Sequence, residues 1–339
     1  MTPRLKDVAA LAGVSVKTVS NVINDYPFVR EETRVRVQLA IDKLRYRPNL
    51  SARRLRTGRS GLIALSLPEI STPYFGEIAG LIVDVAEQRG WTVLIDQTGG
   101  ERSHEQRTAA GIRADLIDGS IASPLSMTAA DIAALDPHHP VVLLGEQLAM
   151  VAADHIAIDN VRAARETTEH LISLGCRRIA VIGARPRHNG TANLRLEGYR
   201  LALDDAGLRP VRSLVAPASD FHLADGYAAM QALLRTRRPP DAVFCFNDLL
   251  AFGALRAVAE AGLAVPGDIK ICGFDDIELC RYSSPTLTSV SPDKRAIAET
   301  AVDLLARRIT GAETGPGQDI VVPHTLEVRD STAPAGQRR

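Results

Sequence analysis

The sequence lacks clustered cysteines and long apolar runs. Only four of its 339 residues are cysteine, and none of them forms a C-x-x-C pair, so no disulfide framework is predicted. No run approaches the roughly 18 apolar residues that a membrane-spanning helix needs. The amino-terminal segment has neither the apolar core nor the cleavage site of a secretory signal. We therefore expect a cytoplasmic chain with reduced, buried thiols at Cys176, Cys245, Cys272 and Cys280.

Motifs of common enzyme classes are also missing. The sequence has no G-x-x-x-x-G-K-[ST] phosphate loop, no G-x-S-x-G elbow, no H-E-x-x-H and no G-x-G-x-x-G after a strand. The eight histidines are scattered without metal-ligand spacing. Asp275 and Asp276 are the one paired-carboxylate candidate, and adjacent residues in a loop seldom converge on one atom. We therefore predict no enzymatic activity, no catalytic residues, no metal site and no cofactor.

A net charge of zero conceals an uneven distribution of charge. Residues 1–60 contain 13 Lys and Arg against 5 Asp and Glu, whereas the rest of the chain contains 27 against 35. A basic amino-terminal part on a mildly acidic body indicates that this part alone meets a polyanion. It also argues against an exported sugar-binding protein.

The basic part shows the spacing of three short helices. Two of them flank a tight turn at Gly13, Ser15 can cap the second helix, and the arrangement predicts a helix-turn-helix. The apolar positions that we expect to form one small core are Leu5, Val8, Ala9, Ala12, Val19, Val22, Ile23, Val37, Ile41 and Leu44. The alternative is a three-helix bundle without a partner. Short polar side chains on the second helix and the positive charge favour DNA binding.

From Ser60 onwards, short apolar runs alternate with helical stretches. Predicted strands are GLIALSL, WTVLID, GSIAS and VVLLGE, followed by RIAVIGA, AVFCFN and IKICGF. Predicted helices cover about 74–89 and 102–113 in the first set, and begin near Asn193, Ala224 and Asp248 in the second. This alternation predicts an α/β fold with two lobes, each a doubly wound parallel sheet, facing one cleft.

Polar residues follow several of these strands, where ligands bind in open parallel sheets. The rule selects residues 73–75, Glu146, Asn247, Asp248, Asp275 and Asp276, with Arg195 at the start of the helix after RIAVIGA. Arginine and carboxylate side chains suit a small polar ligand with vicinal hydroxyls. Asp276 fits a loop or hinge residue better than a ligand contact, and Tyr74 and Phe75 fit either the cleft or a lobe core.

These segments resemble the LacI/GalR family of bacterial transcription repressors. LKDVAALAGVSVKTVSNVIN, VREETRVRV and LRYRPNLSARRLRTG are similar to the family's DNA-binding headpiece and hinge. HIAIDN, EHLISLGCRRIAVIG, RLEGYRLAL, AVFCFNDLLAFGAL and ICGFDDIELC follow in family order. The resemblance covers nearly the whole chain and implies a repressor that binds a pseudo-palindromic operator.

The resemblance also implies domain boundaries. It gives a three-helix helix-turn-helix headpiece (1–46), a hinge helix or linker (47–59), a two-lobed periplasmic-binding-protein-like core (60–330) and a tail (331–339). Three crossings between the lobes are implied near 155–160, 288–291 and 320–323. The N-lobe is then about 60–158 and 291–320, and the C-lobe about 159–290 and 321–330.

The resemblance assigns roles on the second helix. Val16, Lys17 and Asn21 read bases, while Ser15, Thr18, Ser20 and Asn24 mostly anchor phosphates. By chemistry, Lys17 suits guanine, Asn21 suits adenine, and Val16 offers an apolar contact such as a thymine methyl. Arg4 and Arg30 stand where the family usually has Ser or Thr caps, so we expect these helix ends to fray until DNA phosphates approach.

The segment NLSARRLRTG, residues 49–58, is too short to be a stable isolated helix. The resemblance implies that it becomes helical when two copies pair over the minor groove. Leu55 then wedges between base pairs, with Arg56 beside it, and a pyrimidine-purine step is expected at the dyad. The other implied DNA-contacting residues are Ala52, Arg53 and Arg54. The alternative is a plain basic linker.

In the core, the resemblance converges with the strand-end rule. Arg195 and Asp275 match effector-gripping residues, Asn247 a polar contact and Phe221 an aromatic platform, and the predicted effector set is completed by Tyr74, Phe75 and Glu146. Pro292 replaces a polar contact seen in some members. A sugar or sugar derivative acting as inducer is predicted, and the alternatives are purine-type corepression or a sugar-binding enzyme domain fused to a DNA-binding head.

The predicted partners are operator DNA, the effector and a second copy of the chain, with no membrane. The tail after Asp330, STAPAGQRR, is too short and polar for an additional tetramerisation helix, so a homodimer is expected. The predicted location is the cytoplasm, in association with the nucleoid.

Overall fold

A computed structural model describes residues 3–23, 26–46, 59–109, 116–145, 153–185 and 190–332. The chain divides into two compact units, Met1–Ser60 and Gly61–Arg339. Each unit has its own apolar core.

The first unit contains helices α1 (Leu5–Ala12), α2 (Val16–Ile23) and α3 (Glu31–Leu44). Each helix buries one stripe of small apolar side chains against the other two, and Val8, Val19 and Val37 are fully buried. Gly13 ends α1 in the left-handed conformation at φ 64°, which a glycine adopts without a Cβ penalty. The predicted core of three helices is confirmed.

The amino termini of these helices differ in how they are capped. The Ser15 hydroxyl accepts a hydrogen bond from the Thr18 N–H at 3.0 Å, as predicted for α2. The side chain of Arg4 does not cap α1, but the Asp7 carboxylate accepts from the Arg4 N–H at 2.7 Å. This bond, with a negative charge in the first turn, removes the reason for α1 to fray. The Arg30 side chain makes no capping hydrogen bond to α3, so fraying there stays a prediction.

The second unit begins with an all-parallel sheet in the order β11-β5-β4-β3-β1-β2. Its strands are β1 (Leu62–Leu67), β2 (Thr92–Gln97), β3 (Ser120–Ala122), β4 (Val141–Leu144), β5 (Asp154–Ile158) and β11 (Asp319–Val322). Its helices are α4 (Pro73–Gln88), α5 (Arg102–Ala109), α6 (Ala129–Ala133) and α11 (Lys294–Thr310). The main core lies between the sheet and the pair α4 and α11.

The second sheet has the order β12-β10-β9-β8-β6-β7, parallel except for β12. Its strands are β6 (Ile179–Ala184), β7 (Val215–Pro217), β8 (Ala242–Cys245), β9 (Lys270–Phe274), β10 (Thr288–Pro292) and β12 (His324–Glu327). Its helices are α7 (Asn160–Ser173), α8 (Thr191–Asp205), α9 (Leu223–Leu234) and α10 (Asp248–Glu260). All four cysteines are buried, and none of them is in a disulfide.

Two glycines let α9 and α10 approach closely. A Cβ on Gly226 would lie 2.1 Å from the Leu250 carbonyl oxygen, and one on Gly253 would lie 2.1 Å from that of Leu223. The close contact fixes the start of α9, and therefore the loop before it, against the end of β8. That loop carries Phe221.

The chain passes between the two sheets three times, after β5, after β10 and between β11 and β12. Strand pairing places two of the expected lobe boundaries, those at residues 290–291 and 320–321, two residues later in the chain. Ser291 and Pro292 still pair with β12, and Val321 and Val322 still pair with β5. The crossings therefore lie at residues 159, 293 and 323.

Candidate functional site

The outer face of α2 carries the residues predicted to read DNA. Lys17 and Asn21 lie four residues apart, opposite the buried Val19, and therefore occupy neighbouring positions on one face. Val16 is 45% exposed, which is unusual for valine and leaves an apolar surface beside them. This face can present an ammonium, an amide and a methyl group to base edges.

The hydroxyls on α2 have a second role. Ser15 and Thr18 share a hydrogen bond at 2.9 Å in addition to the capping bond, so both side chains are held in place before any phosphate binds. Ser20 is half-buried. Six predicted DNA-contacting residues lie outside the described part of the chain: Asn24, Ala52, Arg53, Arg54, Leu55 and Arg56.

A cavity of about 520 Å³ lies in the second unit at the carboxyl ends of strands from both sheets. Its size falls within the usual range for sites that bind small molecules. The structure brings six predicted effector residues together in its lining, namely Tyr74, Phe75, Arg195, Phe221, Asn247 and Asp275. Pro292 also lines it, and the seventh predicted residue, Glu146, lies outside the described residues.

Arg195, in the second turn of α8, is only 9% exposed. Its Nε donates to Asn160 Oδ1 at 2.9 Å, and its Nη1 donates to the Phe246 carbonyl oxygen. The guanidinium carbon lies 3.4 Å from the centre of the Phe274 ring. These contacts fix the plane of the guanidinium before a ligand arrives, which lowers the entropy cost of binding.

Asp275 follows β9 with a left-handed φ of 105°, and its N–H donates to the Val290 carbonyl oxygen at 2.9 Å. Burial raises the pKa of its carboxyl to about 8, against the opposing effect of the Arg195 charge. The carboxyl is therefore largely protonated near neutral pH and can both donate and accept a hydrogen bond. Burial also raises the pKa of Tyr74 above its usual range, so its hydroxyl keeps its proton.

Asn247 holds the aromatic platform in position. Its Oδ1 accepts from the Leu250 N–H at 2.9 Å and caps α10, while its Nδ2 donates to the Phe221 carbonyl oxygen at 2.9 Å. Phe221 has a left-handed φ of 65°, and the guanidinium of Arg185 lies 4.5 Å from its ring centre. Within the described residues, the second N–H and the second lone pair of the Asn247 amide have no partner and can bind a ligand.

Sequence reasoning missed several residues of the lining. Asn160 begins α7 directly after β5, a strand that the apolar pattern did not predict. Gln97 directly follows the predicted strand WTVLID and ends the observed β2, so the strand-end rule could have found it. Glu69 and His222 come from the two lobes, and their carboxylate Oε2 and imidazole Nε2 lie 3.4 Å apart. No sequence signal indicates that pair.

Ion pairs and hydrogen bonds connect the two lobes on the side of the cleft where the chain crosses between them, which we call the hinge side. Lys294, at the start of α11, donates to the Glu77 carboxylate and to the Asp276 carbonyl oxygen. Glu77 Oε1 accepts from the Glu278 N–H at 2.9 Å. The Asp276 carboxylate lies 2.7 Å from the guanidinium of Arg329. These contacts support a hinge role for Asp276.

Among the residues that the structure describes, no helix is long and apolar enough to cross a membrane. No group of three or more His, Cys, Asp or Glu side chains in the same residues is placed to hold a metal ion.

Comparisons with known proteins agree for both units. Residues 4–49 match the model of bacterial regulatory proteins of the lacI family, and residues 168–332 match the periplasmic binding protein-like domain. The chain is 34% identical to the HTH-type transcriptional regulator DegA of Bacillus subtilis (strain 168), across 98% of this chain and 99% of that protein.

Two solved structures are similar over nearly the whole length. The Lac repressor dimer bound to operator and the anti-inducer ONPF has a TM-score of 0.83 and 28% identity, across 98% of this chain and 99% of that one. The transcriptional regulator CelR–cellobiose complex has a TM-score of 0.70 and 31% identity, across 97% and 99%. These relatives are regulators, in agreement with the prediction that the chain is not an enzyme. The chain belongs to the LacI family of bacterial regulatory proteins and is a DNA-binding transcriptional regulator.

Proposed function

We propose that the protein is a homodimeric repressor in the cytoplasm, associated with the nucleoid, whose operator binding is released by a sugar in the cleft. Residues 1–46 read the operator, 47–59 form the hinge helix, and 60–330 bind the effector and dimerise. The observation that carries the proposal is the cavity in which Arg195, Asp275 and Phe221 converge.

The chemistry of the cavity suits a sugar. A fixed guanidinium and a protonated carboxyl can bind neighbouring hydroxyls as donors and acceptor, and an aromatic ring offers an apolar face to sugar C–H groups. The similar regulator that was solved with cellobiose supports this ligand class. Induction fits an effector that prefers the lobe arrangement in which the two hinge segments are held apart, since a ligand shifts DNA affinity only by its differential affinity for two states.

On the DNA side, we propose that Lys17, Asn21 and Val16 specify the half-site. Leu55, with Ala52 and the arginines Arg53, Arg54 and Arg56, then contacts the operator centre, and Asn24 contacts phosphate. Glu146 completes the effector set. Charged contacts with phosphate supply much of the affinity, so binding should weaken steeply with salt.

The experiment begins with selection of an operator from random duplex DNA by the full-length protein. Fluorescence anisotropy then measures operator affinity with and without a panel of sugars and hypoxanthine. We expect a sugar to lower operator affinity in the wild type, and Arg195→Ala to keep operator affinity while losing the response. Hypoxanthine that strengthens binding would instead establish corepression. Recovery of a chemically altered sugar would indicate an enzyme.

A further inference from the structure

The cavity between the lobes is elongated. Its lining includes carboxyl ends of five neighbouring strands in the first sheet, at Ile158, Gly145, Ser123, Pro68 and Gln97. Adjacent strands lie about 4.8 Å apart, so five strand ends span roughly 19 Å. A pyranose ring, built from bonds of about 1.5 Å, measures roughly 5–6 Å between O1 and O4. A single ring therefore leaves most of this length unfilled.

Polar groups lie at both ends of the cavity. The hinge end contains Arg195, Asn160 and Asp275, beside the strands that cross between the lobes. The opposite end, which we call the mouth, is lined by four other polar residues: Glu69, Gln97, Ser126 and His222. Asn160 follows β5 and Gln97 ends β2, four strand spacings away in the sheet, so these two side chains start about 19 Å apart, farther than one ring spans.

The mouth is organised before any ligand binds. The Glu69 carboxylate accepts hydrogen bonds from the Ser71 hydroxyl at 2.6 Å and the Thr72 hydroxyl at 3.3 Å. His222 stands at the start of α9, but the Asp225 carboxylate accepts from its N–H at 3.2 Å. The imidazole is thereby left to reach across the cleft, 3.4 Å from Glu69.

Gln97 adds an amide to the mouth. Its Oε1 accepts from the Ile70 N–H at 3.1 Å, which fixes the side chain, and within the described part of the chain its NH₂ has no hydrogen-bond partner. Ser126 donates to the Gly100 carbonyl oxygen at 2.7 Å, so its oxygen can still accept. Carboxylate, imidazole, amide and hydroxyl together match the donors and acceptors of sugar hydroxyls.

The charges around the mouth favour a neutral ligand. Glu69, Asp220 and Asp225 surround His222, and like charges repel a phosphate or carboxylate group. Besides Arg195, the described part of the lining contains one arginine, Arg185, whose guanidinium donates to the carbonyl oxygens of Ala218 and Ser219 and lies over an aromatic ring. Among the residues that the structure describes here, a phosphorylated sugar would meet more negative than positive charge.

We propose that Glu69, Gln97, Ser126 and His222 form a second sugar subsite, and that the effector is a neutral disaccharide. One ring binds to Arg195 and Asp275 at the hinge end, and the other binds at the mouth. The inference rests on the proposed function, because it assumes that the cleft is the effector site.

Isothermal titration calorimetry on the full-length protein tests it with cellobiose, maltose and lactose against glucose and galactose. One disaccharide should bind at least tenfold more tightly than either of its constituent rings. Glu69→Gln and His222→Ala should each reduce that ratio at least fivefold. Glu87→Gln, an exposed glutamate at the end of α4 that does not line the cavity, is the matched control and should preserve the ratio.

Three outcomes would overturn the second subsite. A monosaccharide that binds as tightly as the disaccharide and also releases the operator overturns it while leaving the proposed function intact. A ratio of disaccharide to monosaccharide affinity that is unchanged in both Glu69→Gln and His222→Ala also overturns the second subsite and leaves the proposed function intact. Binding of hypoxanthine but of none of the sugars overturns the disaccharide and the sugar-responsive function together.

Discussion

Substitution of Asn247 separates two roles of one side chain. The amide caps α10 and also donates to the carbonyl oxygen of Phe221. Asn247→Ala removes both bonds, whereas Asn247→Ser keeps a hydroxyl that can cap the helix but is too short to reach Phe221. Loss of a cap costs about 1 kcal/mol, and loss of one ordinary hydrogen bond costs roughly 0.5–1.5 kcal/mol.

The expected free energies of unfolding follow from these two bonds. Asn247→Ala should lower the free energy by about 2 kcal/mol, and Asn247→Ser by about 1 kcal/mol because the cap remains. Both variants should weaken sugar binding by a similar factor, since Phe221 loses the bond that holds its platform. Urea unfolding measures the first effect and calorimetry the second. Wild-type sugar affinity in Asn247→Ser would refute the positioning role.

Three further predictions concern other parts of the molecule. Asn21→Ala should relax preference at one operator base pair by roughly 1–3 kcal/mol, as measured by binding to a set of single-base operator variants. The Asp275 carboxyl keeps its proton to about pH 8 in the folded state, whereas the unfolded chain releases that proton near the ordinary pKa of an aspartate. The ligand-free core should therefore lose stability as pH rises from about 4 to 8. In Asp275→Asn, the thermal midpoint should change less over that range. Asp248, whose pKa burial raises to about 6, contributes a slope of the same sign that the variant retains. Glu77→Gln should weaken the contact with Lys294 on the hinge side of the cleft. It should change sugar affinity by a larger factor than it changes the operator affinity of the ligand-free protein. Equal factors for the two affinities would contradict a role for this contact in how the two lobes close on a sugar.

Local patterns predicted much of the fold. Helical spacing placed Val8, Val19 and Val37 in one core because each helix must bury its own apolar stripe. Apolar runs predicted most of the central strands of both sheets. The strands β5, β7, β10, β11 and β12 were not predicted from the pattern. β7, β11 and β12 lie at sheet edges, which tolerate polar residues such as Glu327, and the interior strands β5 and β10 include polar residues such as Asp154 and Ser289.

The site was predictable where it follows from strand ends. Asn247 and Asp275 follow central strands, and the structure places both in the cavity lining. Asn160 was missed with its strand. The pair of Glu69 and His222 depends on how two lobes approach each other, which no local pattern contains. The double hydrogen bonding of Asn247 likewise required the conformation of the Phe221 loop.

The most direct test of coupling between sugar and operator uses thermodynamic reciprocity. If a sugar lowers operator affinity by some factor, the operator must lower sugar affinity by the same factor. Calorimetry on the full-length protein, with and without saturating operator duplex, measures the second factor, and anisotropy measures the first. The account predicts that the two factors are equal and greater than one in the wild type, and that both fall to one in Arg195→Ala. Sugar affinity that is unaffected by the operator would contradict it.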